Sequence, residues 1–218
     1  MEIKKAQFVT SVADSSKILE SNMPEIAIAG KSNVGKFTFI NYLTNNGKLA
    51  KTSSTPGKTR LLNYFEINGG ECMLVDLPGY GFAKVSDAEK IKWATLIDNY
   101  LTTSPFLAHV FILVDVRHEP TALDKQMVNF LQYHVIPFTI IATKCDKLSR
   151  SKAFLRKREI AKSFAMGEGN ILLTSSAARK GKDGVLNRME QIIDAWNSEE
   201  VDSELSDLES QEQSVVDN

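Results

Sequence analysis

The chain has 218 residues, 43% hydrophobic and 24% charged, which suits one sizeable buried core. No run approaches the roughly 20 apolar residues of a membrane helix, and Met1-Glu2-Ile3-Lys4-Lys5 opens no secretion signal, so the expectation is a cytoplasmic chain without a membrane partner. The net charge of −1 conceals an asymmetry: residues 198–218 hold eight acidic residues and no Lys or Arg, and without those eight the body carries about +7.

In chain order, the first predicted strand is residues 26–29 (Ile-Ala-Ile-Ala) and the first helix residues 36–44. Between them runs Gly30-Lys31-Ser32-Asn33-Val34-Gly35-Lys36. This is the phosphate-binding pattern G-x-x-x-x-G-K-[ST], complete except at its last position, where Phe37 replaces the hydroxyl residue. Gly30 and Gly35 let the backbone turn without a Cβ, so that N–H groups point at phosphate oxygens. The helix start adds its positive dipole end, and Lys36 a point charge for the β and γ phosphates. A chance glycine-lysine turn is the alternative, and the flanking strand and helix argue against it.

Residues 52–59 (Thr-Ser-Ser-Thr-Pro-Gly-Lys-Thr) are polar and turn-rich. They suit a loop that orders around Mg²⁺ and a γ-phosphate through a threonine hydroxyl, and equally a plain linker. Strands at 61–67 and 72–75 form a hairpin about Asn68-Gly69-Gly70. The second ends in Asp76-Leu77-Pro78-Gly79, where Asp76 can hold Mg²⁺ through a water and Gly79 can offer its N–H to a γ-phosphate. Alone this pattern is common; its weight comes from following the phosphate loop.

A helix at 87–103, a strand at 109–114, a helix at 123–133 and a strand at 138–142 come next. The last runs into Thr143-Lys144-Cys145-Asp146. A carboxylate such as Asp146 can accept both N1–H and N2–H₂ of guanine, whereas adenine leaves it unpaired, a discrimination of order 10⁴. The stem of Lys144 can lie along the base. A surface Lys-x-x-Asp loop is the plain alternative. After a helix at 150–164 and a strand at 171–173, Thr174-Ser175-Ser176-Ala177 offers small residues whose N–H groups can approach guanine O6, or an ordinary turn. A last helix spans 183–196.

This alternation predicts an α/β fold of the P-loop NTPase type, a three-layer sandwich. Its sheet is mostly parallel with one antiparallel edge strand, helices cover both faces, and ligands bind beyond the strands' carboxyl ends. Residues 1–197 form one domain, and 198–218 a solvated, disordered acidic tail. Cys72 and Cys145 read as reduced thiols. Trp93, Phe106, Phe111 and Phe130 read as core, and His109 and His134 as structural. Arg117, His118 and the basic stretch 150–162 face a nucleic acid on one reading, which the resemblance below makes ribosomal RNA; on the other they are a turn support and a solvated helix face.

Together these residues resemble the bacterial ribosome-biogenesis GTPases called EngB (YihA/YsxC), over about residues 3–196. The likeness rests on residues 24–36, 52–59, 76–83 (Asp-Leu-Pro-Gly-Tyr-Gly-Phe-Ala), Asp115-Val116-Arg117-His118 and residues 143–146. In the last, Thr143 stands where most GTPases carry Asn. The resemblance implies a Mg²⁺-dependent GTPase of the TRAFAC class, needed for maturation of the large ribosomal subunit and associated with cell division and septation. The expected partners are pre-50S rRNA and proteins, with no DNA, and the chain is expected to be a monomer.

Carried over, Gly30 to Phe37 hold the phosphates of GTP or GDP. Gly57, Lys58, Thr59, Arg60 and Leu61 form switch I, with Thr59 on Mg²⁺. Asp76, Leu77, Pro78 and Gly79 open switch II, and residues 143–146 and 174–177 enclose the base. Lys36, Thr59 and Gly79 are candidates for the chemistry. Tyr80 stands where Ras-like enzymes place a water-positioning glutamine, and Asn33 where related GTPases help hold K⁺. The departure is Phe37, at the position of the family's Mg²⁺-ligating serine. A phenyl ring cannot coordinate a hard cation, and Thr38 lies about 100° further around the helix. Two alternatives therefore stand beside the GTPase: a guanine-nucleotide-binding module with impaired hydrolysis, and a P-loop kinase or ATPase, which Asp146 argues against.

Overall fold

In the computed structural model, residues 1–50, 61–81 and 87–216 are described, except for the side chains of 87–90 and 200–216. Seven strands form one sheet: β1 (Ala6–Val12), β2 (Glu25–Gly30), β3 (Leu62–Ile67), β4 (Cys72–Asp76), β5 (Leu107–Asp115), β6 (Phe138–Thr143) and β7 (Ile171–Leu173), in the order β1-β3-β4-β2-β5-β6-β7. Five of them, from β4 through β7, run parallel, and β3 is antiparallel to β4 and to β1. The sequence reading does not include β1, which pairs on the outer side of β3. Most of its residues are exposed, so it lacks the apolar run that marks the inner strands. By contrast all six residues of β2 are buried, as a strand covered on both faces requires.

Helices α1 (Lys36–Leu43), α2 (Asp87–Thr103), α3 (Ala122–Tyr133), α4 (Arg150–Ser163) and α5 (Lys182–Val216) complete the fold. Alternate strand residues divide the core in two. Ile26, Ile28, Phe111 and Leu113 meet Phe39 and Ile40 of α1 and Val185 and Met189 of α5 on one face. On the other, Ala27, Ala29, Val110 and Ile112 meet Tyr100 of α2, Val128 of α3 and Ile160 of α4. Each such fully buried aliphatic side chain contributes about 1.5–3 kcal/mol. Of the expected core aromatics, Phe111 is fully buried and Phe130 packs at the core margin. The α5 backbone continues as helix past residue 197, through the segment read as a tail, since neither Gly nor Pro follows Gly184.

Local sequence fixes the helix starts. Thr121 and Asp124 form a reciprocal capping box at α3, and the Ser149 side chain caps α4. Cys72 is buried and Cys145 half-buried, and both are free thiols. Burial pushes the Cys72 thiol up to about 12. Among the described residues no helix is long and apolar enough to cross a membrane.

At the end of the sheet away from the motifs, Glu25 is fully buried. Its Oε2 accepts a 3.0 Å hydrogen bond from the Ser104 hydroxyl, and Oε1 has no hydrogen-bond partner. Burial raises the Glu25 carboxyl above its ordinary value. A carboxyl raised in the folded state binds its proton more tightly there, so stability falls as pH rises through the raised value. Glu25→Gln should therefore raise stability at pH 7.5 by on the order of 1 kcal/mol. The gain should vanish near pH 4, where both proteins are neutral at this position. Thermal unfolding at the two pH values checks this; an equal shift at both would show that ionisation is not the cause.

Candidate functional site

Among the described residues, the motifs that begin at Gly30, Asp76, Thr143 and Thr174 lie at the carboxyl ends of parallel strands, and β2 stands between β4 and β5, where the chain switches faces. Gly30 ends β2; a Cβ there would meet Val34 Cγ1 at 2.9 Å and the Leu113 carbonyl at 3.0 Å. The loop then turns through Asn33 in the left-handed region to Gly35, which starts α1 with φ 107°. The Val34 N–H is spent on the Lys31 carbonyl at 3.1 Å, and the Ser32 N–H on the Tyr80 carbonyl at 2.8 Å. Among the described residues the N–H groups of Asn33, Gly35, Lys36 and Phe37 have no partner. Four unpaired donors at a helix start beside an ammonium form an anion cradle.

Lys36 is buried, and its Nζ lies 3.7 Å from Oδ1 of the fully buried Asp76. That distance is an ion contact, longer than a hydrogen bond. The Asn63 side-chain amide donates to Asp76 Oδ2 at 3.3 Å, while Oδ1 accepts no hydrogen bond. Burial raises the Asp76 carboxyl, against the pull of Lys36. Gly79 closes over this pair: a Cβ there would sit 3.2 Å from Lys36 Nζ and from the Ser32 backbone. Tyr80 pairs with Lys31 in a β-bridge, and its hydroxyl donates to Asp124 Oδ1 at 2.8 Å. Burial, then the neighbouring Asp124, holds the Tyr80 phenol well above its ordinary range. Leu77 and Pro78 are buried between.

An orphaned buried carboxylate oxygen beside a phosphate cradle fits a hydrated Mg²⁺ at Asp76. Position 37 does not fit. The Phe37 ring packs against the core around α1, with Lys36 Nζ 5.9 Å from its centroid, and Thr38 is exposed. Lys51 to Arg60, and with them Gly57, Lys58, Thr59 and Arg60, lie outside the described residues, as do Phe82 and Ala83; Leu61 is half-buried just before β3.

On the other side of the cradle, β6 ends in Thr143, whose hydroxyl donates to the Val114 carbonyl at 3.0 Å. Lys144 takes a left-handed conformation, φ 61°, and a short 3-10 turn, Cys145–Lys147, follows. Asp146 Oδ1 accepts the Ser175 hydroxyl at 2.6 Å, and this bond holds the carboxyl below its ordinary value. Ser175 is fully buried and its N–H is engaged by the Lys180 carbonyl at 2.9 Å, so it serves Asp146 through its side chain. Ser176 is half-buried and Ala177 exposed, and Thr174 is buried behind them. Gly181 makes this loop possible. With φ 79°, it packs so tightly that a Cβ would lie 2.1 Å from the Leu173 carbonyl.

A residue that carries no role in the motif reading links the two halves. Asp115, at the end of β5, accepts Lys144 Nζ at 3.0 Å on Oδ2. Arg117 grips both of its oxygens, Nε at 2.9 Å and Nη2 at 2.7 Å. Although burial raises the Asp115 carboxyl, the hydrogen bonds from Arg117 and Lys144 outweigh it and hold the group far below the usual carboxylate range. Arg117 thus supports a turn, as one of its two readings had it. A cavity of about 220 Å³ between Lys31, Asn33, Asp115, Thr121 and Lys144 joins the phosphate loop to the Asp146 loop. Of the two histidines read as structural, His109 contacts the Thr139 hydroxyl at 2.9 Å inside the sheet, and burial lowers it to about 4.

A P-loop cradle and a strand-end aspartate on one edge of this sheet define a P-loop nucleotide-binding protein, and the comparisons make it a GTPase. Residues 25–144 match the family described as 50S ribosome-binding GTPase. A probable GTP-binding protein EngB of Desulforamulus reducens is 44% identical over 194 residues, 88% of this chain and 95% of that relative. One of Pelotomaculum thermopropionicum is 52% identical over 197 residues, 90% and 97% of the two chains. A crystal structure of a probable GTP-binding protein EngB shares the fold at TM-score 0.68 and 22% identity, over 78% of this chain and 99% of that one. The chain belongs to the EngB family of GTP-binding proteins.

If Asp115 fixes Lys144 before the base arrives, Asp115→Asn should weaken GDP binding roughly 3- to 10-fold, the share of an ordinary hydrogen bond. Because Asp115 acts through Lys144, adding it to Lys144→Ala should cost little more. Titration of GDP against both single variants and the double variant measures this; fully additive losses would separate the two residues.

Proposed function

We propose that this GTPase is a switch that acts on the large ribosomal subunit during its assembly, as a cytoplasmic monomer whose loss disturbs cell division and septation. The observation that carries the nucleotide part is the placing of the Lys36 cradle and the Ser175-held Asp146 on one sheet edge, bridged by Asp115. Phosphates would sit on the unpaired N–H groups and Lys36, and Asp146 would take the guanine edge. Gly79 packs against Lys36 and Ser32, so a γ-phosphate seated there must press on the segment 76–80. That contact gives GTP and GDP different preferences for its position, the requirement of a switch. The name of the matching family and the basic body support the ribosomal part. Docking would depend on nucleotide state: large-subunit particles should co-sediment the protein differently with GDP and with a non-hydrolysable GTP analogue.

A bound Mg²⁺ would supply charge neutralisation at the phosphates; Asp76 is its fitting partner among the described residues, with Thr59 proposed as a second. We include K⁺ held at Asn33, whose side chain is exposed on the loop. A second reading has a specific observation in its favour. Phe37 places a core-packed ring where an oxygen ligand is needed, which points to guanine-nucleotide binding with slow or impaired hydrolysis.

Phe37→Ser separates the two. Restoring an oxygen there should raise GTP turnover by roughly tenfold or more, about 1.4 kcal/mol in the barrier, and should strengthen the effect of Mg²⁺ on nucleotide affinity. Equal turnover and equal Mg²⁺ dependence would mean another oxygen fills the site. In the same titrations ADP should compete at least a thousandfold more weakly than GDP, since it leaves Asp146 unpaired. ADP binding within tenfold of GDP would sink the guanine assignment.

A further inference from the structure

Helix α4 presents a face that neither the core nor the nucleotide site uses. Its inner side is Ala153, Ile160 and Ala161. Lys152, Phe154, Leu155, Arg158 and Lys162 are exposed, Phe154 at 49% and Leu155 at 54%. At 100° per residue these five share an arc of about 160°, and at 1.5 Å per residue they span about 15 Å. One apolar residue on a surface is ordinary. Two interleaved with three cations form a pattern that folding does not require.

The charges on this face are largely uncompensated. Its acidic residue, Glu159, is taken by Arg156 at the edge. Arg158 Nε lies 3.4 Å from Glu168, and Lys152 and Lys162 have no ion-pair partner among the described residues. Such a face suits a polyanion with flat apolar groups between its charges. An RNA strand is that polyanion: its phosphates take Lys and Arg, and an unstacked base can lie on Phe154. The helix that carries this face is anchored beside Asp115 by an edge residue, Arg156, whose Nε donates to the Val116 carbonyl at 3.3 Å.

We propose that the outer face of α4 is an RNA-docking surface, with Lys152, Arg158 and Lys162 on phosphates and Phe154 and Leu155 against bases. Its use on a ribosomal particle rests on the function proposed above; its affinity for RNA does not. The test is binding of the full chain to purified large-subunit rRNA and to large-subunit particles across a salt series. The charge variant is Lys152→Glu, Arg158→Glu and Lys162→Glu together. A control, Lys4→Glu, Lys5→Glu and Lys48→Glu, makes the same net charge change elsewhere on the exposed surface. The α4 variant should lose at least tenfold in rRNA affinity, and the slope of log affinity against log salt should shrink by roughly 2. Phe154→Ala with Leu155→Ala should lose several-fold with the slope unchanged. GDP affinity should be unaltered in all of them, which shows that they fold.

The proposal is overturned if the α4 variant and the control bind rRNA alike, or if the wild-type chain binds particles but no free rRNA at low salt. The second result would make the partner a protein. Loss of rRNA binding in the α4 variant, with no wild-type binding to particles, would support the surface and defeat the ribosomal function.

Discussion

The contact between Lys36 and Asp76 is the constraint on which the site is built. Both side chains are buried, and removing two charges from water costs several kcal/mol each unless partners compensate. Here the compensation is partial: 3.7 Å separates the pair and one Asp76 oxygen accepts nothing. A fold optimised for stability alone would place apolar groups there. The arrangement persists because β2 and β4 lie side by side, in parallel, with Ile28 opposite Asp76. One strand delivers the phosphate loop and the other the carboxylate. An anion with its cation would complete the charge balance that the protein leaves open.

The Asp146 side follows a different principle. Asp146 and Lys144 come from a loop, and loops hold side chains loosely unless something fixes them. Two bonds do so from different elements. Ser175, after β7, holds the Asp146 carboxylate, and Asp115, at the end of β5, holds the Lys144 ammonium. Arg117 in turn fills the remaining acceptor positions of Asp115. Both side chains are thereby fixed in place by the protein itself, and a ligand that used them would be spared the ordering cost of binding.

Phe37 breaks the agreement between local and functional demands. In the helix it behaves as a good residue: its ring is half-buried and extends the apolar face of α1. At the end of the phosphate loop it places a ring where the pattern G-x-x-x-x-G-K-[ST] has a hydroxyl. Such a conflict costs the fold nothing, so stability could not have excluded it.

Sequence alone determined much of this protein. Mostly apolar runs marked β2, β5 and β6, because strands buried on both faces hold few polar residues, here Glu25, His109, Thr139 and Thr143. Fixed spacings marked Gly30 to Lys36 and Asp146, because phosphate and guanine impose geometry on neighbouring residues. The edge strand β1 was not legible, since a half-exposed strand carries no strong pattern. Only the tertiary structure brought Asp115, 29 residues before Lys144, onto its ammonium, or Tyr80 onto Asp124. It alone showed that Gly181 is required, because the crowding carbonyl of Leu173 belongs to another element. Contacts of that kind arise from strand order and register, which long-range packing sets and local spacing does not record.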